Sequence, residues 1–255
     1  MAKKEEAKTN GTATHEGNMP LFYKKPVPLD KSKHGNLSLA KKFTFDFTKE
    51  VNAVPINLVE MPQICHFYPI AFSNDGSATP VAIIGLRDNE NLFVNKKGEW
   101  LEDTYIPAYI RRYPFIFSET PGSDQLTLCV DLESEVIKDG KDQRFFDDEG
   151  NPTQLANNAL EFCKSYHTAA QQTQAFSKEL ANSGLLIDRQ AEVKVKGDRK
   201  ISFAGFSVID EQKLSEMSDK DFLKWRQQGW LPFLYAHLFS GANWQRLTKL
   251  VNERL

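Results

Sequence analysis

The stretch from Trp100 to Phe117, WLEDTYIPAYIRRYPFIF, constrains this chain more than any other. It is the densest in aromatics and sets Arg111 beside Arg112. It also separates a strand-patterned first half from a helix-patterned second half. Tyr105, Tyr109 and Tyr113 recur every four residues, with Ile106 and Ile110 beside them, so they share one face of a short helix. Pro107 suits the first turn of such a helix, where a missing N–H costs nothing. Tyr113 precedes Pro114, which disfavours helical geometry and predicts the stop. Phe115 to Phe117 then begin a buried strand.

Two readings of this stretch stand side by side. In one it is core, with its arginines paired to Glu102, Asp103 or Asp131 or stacked on a ring. In the other, Tyr105, Tyr109, Arg111, Arg112 and Tyr113 form a ligand-binding site for an anion or peptide carboxylate, since arginine presents a rigid fork to carboxylates.

A chain of 255 residues can bury a substantial core. Its net charge of −2, with both signs well mixed, lacks the basic stripe of a nucleic-acid binder. No run is long and apolar enough to span a bilayer. The N-terminus has no apolar segment of the secretory kind, and the three cysteines, Cys65, Cys129 and Cys163, show no paired spacing. Reduced thiols and a cytoplasmic setting are therefore expected, with signal-independent export left open.

Residues 1–19 are polar and small, and read as a disordered tail. Residues 20–255 read as a single α+β domain, in which an antiparallel, hairpin-rich N-terminal half packs against a helix-rich C-terminal half. FTFDF at Phe43 to Phe47 alternates as a strand does, and VPINLVEM at Val54 to Met61 looks extended. Phe67 to Phe72 and Pro80 to Leu86 flank an Asn74-Asp75-Gly76 turn and predict a hairpin; another is expected over Asn91 to Leu101. QLTLCVDL at Gln125 to Leu132 predicts a strand. A stripe from Leu155 to Leu180 predicts a long helix over Thr153 to Asn182. A late hairpin is expected around Gly197-Asp198, then a Ser218-capped helix. Leu231 to Phe239, LPFLYAHLF, is almost wholly apolar and predicts a buried helix, followed by an amphipathic one from Trp244.

No complete catalytic signature appears. Asp147, Asp148 and Glu149 lack the spacing of a calcium loop. Cys163 and His167 share a helix face, and His237 is a third conceivable ligand, but no zinc-type spacing joins them. Phosphate-cradling glycine loops are missing too. No cofactor, resident metal or catalytic residue is therefore assigned.

The motifs PVAIIGLRDNENLFVNKKGEW, YIPAYIRRYPF, FFDDEGNPTQ, GFSVIDEQKLSEM and LPFLYAHLFSGANWQRL resemble, in order and spacing, the bacterial SapC-like family from about Met19 to the C-terminus. That family takes its name from an association with surface-layer proteins. The peptide-transporter permease of the same name is a different protein, since no membrane span exists here. The resemblance implies company with cupin-like oxygenases, flavin-dependent tryptophan halogenases and TonB-dependent receptors, and supplies no catalytic residue. The expectation is a non-enzymatic accessory or binding protein that recognises a protein or peptide. The alternatives are a surface-layer structural component and a metal-dependent enzyme using Cys163, His167 and His237. The oligomeric state is open.

Overall fold

A computed structural model describes residues 19–119, 126–197 and 199–255. The tail expected over residues 1–19 therefore lies, Met19 apart, outside the described residues. The described residues form two compact units, one within residues 1–43 and 112–165, the other within residues 44–111 and 166–255.

In chain order the strands are β1 Pro26–Pro28, β2 Leu37–Leu39, β3 Ala53–Pro55, β4 Ile70–Ser73, β5 Pro80–Ile83, β6 Phe115–Glu119, β7 Leu126–Asp131, β8 Ile137–Asp139, β9 Leu186–Val195 and β10 Arg199–Ile209. The α-helices are α1 Lys31–His34, α2 Met61–Ile64, α3 Ala108–Arg111, α4 Gln154–Asn182, α5 Glu211–Ser215, α6 Asp219–Gln227, α7 Leu231–Ser240 and α8 Asn243–Glu253. The chain is thus α+β, with antiparallel strands in the first half and most of its helix in the second, as the patterning predicts.

In the first unit β7 lies between β1 and β6, and β2 pairs with β8, all antiparallel. Phe115, Val130, Phe145, Phe146, Ala156 and Cys163 make the core. Phe115 meets Phe145 edge to face at 5.3 Å. Asp131 is buried at the end of β7 and escapes the cost of an unpaired buried charge because hydrogen bonds surround it. Its carboxylate accepts the Lys24 and Lys25 backbone N–H groups at 3.0 and 2.7 Å and the Tyr113 hydroxyl at 3.3 Å. One side chain thereby anchors the chain ahead of β1.

The second unit is built on an antiparallel sheet in the order β3-β5-β4-β10-β9. β4 and β5 are buried at every position, which explains why both read as apolar runs rather than alternating ones. β10 carries a bulge at Gly205, whose φ of +90° suits glycine. Phe176 of α4 is packed by Trp225, Trp230 and Phe233 at 5.7, 5.8 and 6.1 Å. Ser218 caps α6 through the Asp221 N–H, and Asp210 caps α5.

Four local expectations fail. The helix expected to carry Tyr105, Tyr109 and Tyr113 on one face spans only Ala108–Arg111, so Tyr105 and Tyr113 lie outside it. FTFDF is no strand: a single turn of 3-10 helix occupies Asp46–Thr48, because Thr48 turns its hydroxyl onto the Phe45 carbonyl at 2.7 Å. VPINLVEM is extended only at its start, in β3. The Asn57/Glu60 capping box then winds Leu58–Glu60 into a 3-10 turn. The hairpin expected over Asn91 to Leu101 shrinks to one bridge, between Val94 and Trp100.

Candidate functional site

The boundary between the two units falls between Arg111 and Arg112, so the central stretch belongs to both. In the second unit Tyr109 is fully buried and meets Tyr166 edge to face at 6.3 Å. Tyr105 is half-buried. Its hydroxyl donates to Glu60 Oε1 at 3.0 Å and accepts from Arg111 Nη2 at 2.8 Å. Arg111 is exposed, stacks over the Tyr105 ring at 5.3 Å and donates through Nε to the Ile106 carbonyl at 2.9 Å. Glu60, 5 % exposed, also accepts the Ala108 N–H at 2.6 Å and, through Oε2, the Asn57 N–H at 3.0 Å. A buried carboxylate therefore fixes the start of α3. Burial, then the charge of Glu60, pushes the Tyr105 phenol up to about 12.

In the first unit Arg112 is buried, with its guanidinium over the Tyr23 ring at 5.6 Å. Tyr113 is buried too, packs on Tyr23 at 5.3 Å, and has its phenol pushed up to about 12 by burial. Of the five residues singled out by sequence, only Tyr105 and Arg111 reach solvent. Two carboxylates serve the tyrosines of the stretch, Glu60 on Tyr105 and Asp131 on Tyr113.

Cys163 is buried in the first unit's core, and burial pushes its thiol up to about 12, opposite to the shift that activates a nucleophile. His167 shares its Nε2 with the Gln171 amide on the surface of α4. His237 is buried in α7. Among the described residues, no three His, Cys, Asp or Glu side chains gather so as to hold a metal ion.

A groove of about 500 Å³ lies between the end of α4, α5 and the start of α6, where Glu179, Asn182, Lys213, Glu216, Asp221 and Trp225 line it. Its charges are largely answered internally. Lys224 pairs with Glu179 at 2.5 Å, and Lys213 donates to the Gly184 carbonyl at 3.0 Å.

Helix α7 departs from an ordinary surface helix on both of its sides. Its polar residues face inward. His237 Nε2 accepts the Ile209 N–H at 3.1 Å, and its ring lies 5.0 Å from Phe72. Ser240 Oγ accepts the Ile70 N–H at 2.9 Å and donates to the His237 carbonyl at 2.5 Å. These two side chains satisfy backbone donors at the ends of β10 and β4, which would otherwise be buried unpaired. Two of its three aromatics face outward, while Phe233 packs on Phe176. Tyr235 is 42 % exposed and Phe239 71 % exposed, and the two rings stack at 6.5 Å. Helix α6 adds the exposed Phe222 and Leu223. The burial expected of LPFLYAHLF thus holds for one side only, where Leu234, Ala236, His237 and Ser240 sit. The sequence conceals this, because a helix apolar all round has no stripe to mark its inner face.

A family model described as SapC matches residues 29–247. The chain belongs to the SapC family. Comparison with curated proteins finds no match, and comparison with solved structures finds none either. The match spans parts of both units of this SapC chain, including the central stretch and all of α7. Among the described residues, no helix is long and apolar enough to cross a membrane.

Proposed function

We propose that this SapC-family chain is a non-enzymatic binding protein that recognises a protein or peptide through helices α6 and α7. The outward rings of α7, Tyr235 and Phe239, carry the reading. Exposed large aromatics mark interaction surfaces, and nothing in the packing of the second unit requires Phe239 to face solvent. Aromatic anchors of this kind dominate the energetics of protein interfaces. Tyr235 and Phe239, stacked one helical turn apart, offer such an anchor with few side-chain torsions to freeze.

The test is capture of partners from native cells by the wild-type chain and by Phe239→Ser, read by mass spectrometry. Oxygenases, halogenases and TonB-dependent receptors are the first prey to examine, as the family resemblance implies. The substitution should leave thermal unfolding unchanged and remove the same proteins that Tyr235→Ser removes. Capture that survives both substitutions would refute the reading, as would turnover of a small compound by the pure chain.

A further inference from the structure

We propose that two copies of this chain join through the outer edge of β9, antiparallel about a two-fold axis passing at Ala191. β9 ends the five-stranded sheet, and among the described residues no strand pairs with its outer side. It runs unbroken from Leu186 to Val195, whereas the opposite edge strand β3 is only Ala53–Pro55. A long open edge offers a row of backbone donors and acceptors to another strand.

The side chains decide which strand fits. Ile187, Arg189, Ala191, Val193 and Val195 share one face. It is the face toward Phe203 and Phe206, which Trp244 of α8 covers at 6.0 and 5.6 Å. Asp188, Gln190, Glu192 and Lys194 share the open face and are exposed. A two-fold perpendicular to the sheet keeps each face continuous across the junction, so only residues on the same face can stand opposite one another.

Charge then selects the register. Centring on Arg189 sets Arg189 against itself. Centring on Gln190 sets Asp188 against Glu192, and centring on Glu192 sets Glu192 against itself. Each places like charges in contact, which disfavours the pairing. Centring on Ala191 instead sets Asp188 opposite Lys194 twice, Gln190 opposite Glu192, and Ile187 opposite Val195. Centring on Val193 also pairs opposite charges, Glu192 with Lys194, but overlaps only Ala191 to Val195. The register at Ala191 overlaps Ile187 to Val195 and is apolar on the covered face except at Arg189, ionic on the open one. The same charges that guard the edge against random pairing thus admit a second copy of this chain.

The experiment uses the full chain in a Cys65→Ser background, because Cys65 is the half-buried thiol while Cys129 and Cys163 are buried. Residues facing each other across an antiparallel pair are spaced as a disulfide needs. Ala191→Cys should oxidise to a covalent dimer, and Gln190→Cys should not. Light scattering should show a dimer for the wild type. Lys194→Asp should weaken it by about tenfold, since attraction becomes repulsion at two symmetric contacts. Adding Asp188→Lys to that variant should restore it, although Asp188 also accepts the Ser207 hydroxyl at 2.7 Å. A chain that stays monomeric at every concentration overturns the proposal. So does a dimer indifferent to the charge swap, or one that Gln190→Cys cross-links as readily as Ala191→Cys.

Discussion

The segment Tyr105 to Tyr113 and helix α7 are similarly rich in aromatic side chains and take opposite places in the protein. By pattern the segment reads either as core or as a recognition surface, and it hides Tyr109, Arg112 and Tyr113. By the same measure α7 suggests core, yet it holds Phe239 in water. The difference lies in the backbone each must serve. α3 is short and begins on the buried carboxylate of Glu60, which also holds the Tyr105 hydroxyl, and Tyr109 packs inward on Tyr166. α7 caps two strand ends, so an imidazole and a hydroxyl take inward positions beside Leu234 and Ala236, and Tyr235 and Phe239 turn out.

The contrast breaks most sharply at Tyr109. Truncation of a fully buried aromatic costs the transfer free energy of the ring and leaves a cavity, so Tyr109→Ala should lose about 3–5 kcal/mol in urea denaturation. Phe239→Ala should stay within about 0.5 kcal/mol, as surface changes do. Similar losses at the two positions would mean that the exposed ring of α7 supports the fold, and the proposed interface would lose its basis.

How much of this was legible in the sequence follows from range. Periodicity marks α4 almost to the residue, because a stripe along a long helix is a local property. Tyr113 before Pro114 marks the end of α3 for the same reason. Glu60 carried no such mark. It lies in an apparently extended run, and the groups it holds, Tyr105 and Ala108, are distant in sequence. Asp46–Thr48 defeated the alternation rule because a threonine hydroxyl bonded its own turn. The facing of α7 depended on unpaired N–H groups in Ile70 and Ile209, which are visible only once β4 and β10 are in place.

His237 sharpens the comparison through pH. Burial holds its imidazole down to about 4, against an ordinary value of 6.5. The unfolded chain therefore binds the proton first, between those values. Stability from neutral His237 is complete above about 6.5 and drains away as pH falls toward 4. At about 1.36 kcal/mol per pKa unit the loss approaches about 3 kcal/mol. His237→Gln cannot titrate, so the difference between the wild-type and variant stability curves should be flat above pH 7 and slope below it. A constant difference from pH 4 to 8 would show that this imidazole is not sealed, and that α7 does not seat its polar side inward.

The smallest effect is expected at Arg111, an exposed charged group of the central stretch. Its stacking on Tyr105 and its two hydrogen bonds are exposed, so Arg111→Ala should cost about 1 kcal/mol or less. If α7 is the recognition surface, partner capture should be unchanged by that substitution and should hardly depend on salt. If the central stretch contributes, capture should fall with Arg111→Ala and weaken as ionic strength rises. Arg111→Lys then separates charge from shape. It keeps the charge but not the planar fork, so retained capture would mean attraction alone, and lost capture would mean a bidentate contact. Either loss would move the interface from the exposed rings of α7 toward α3.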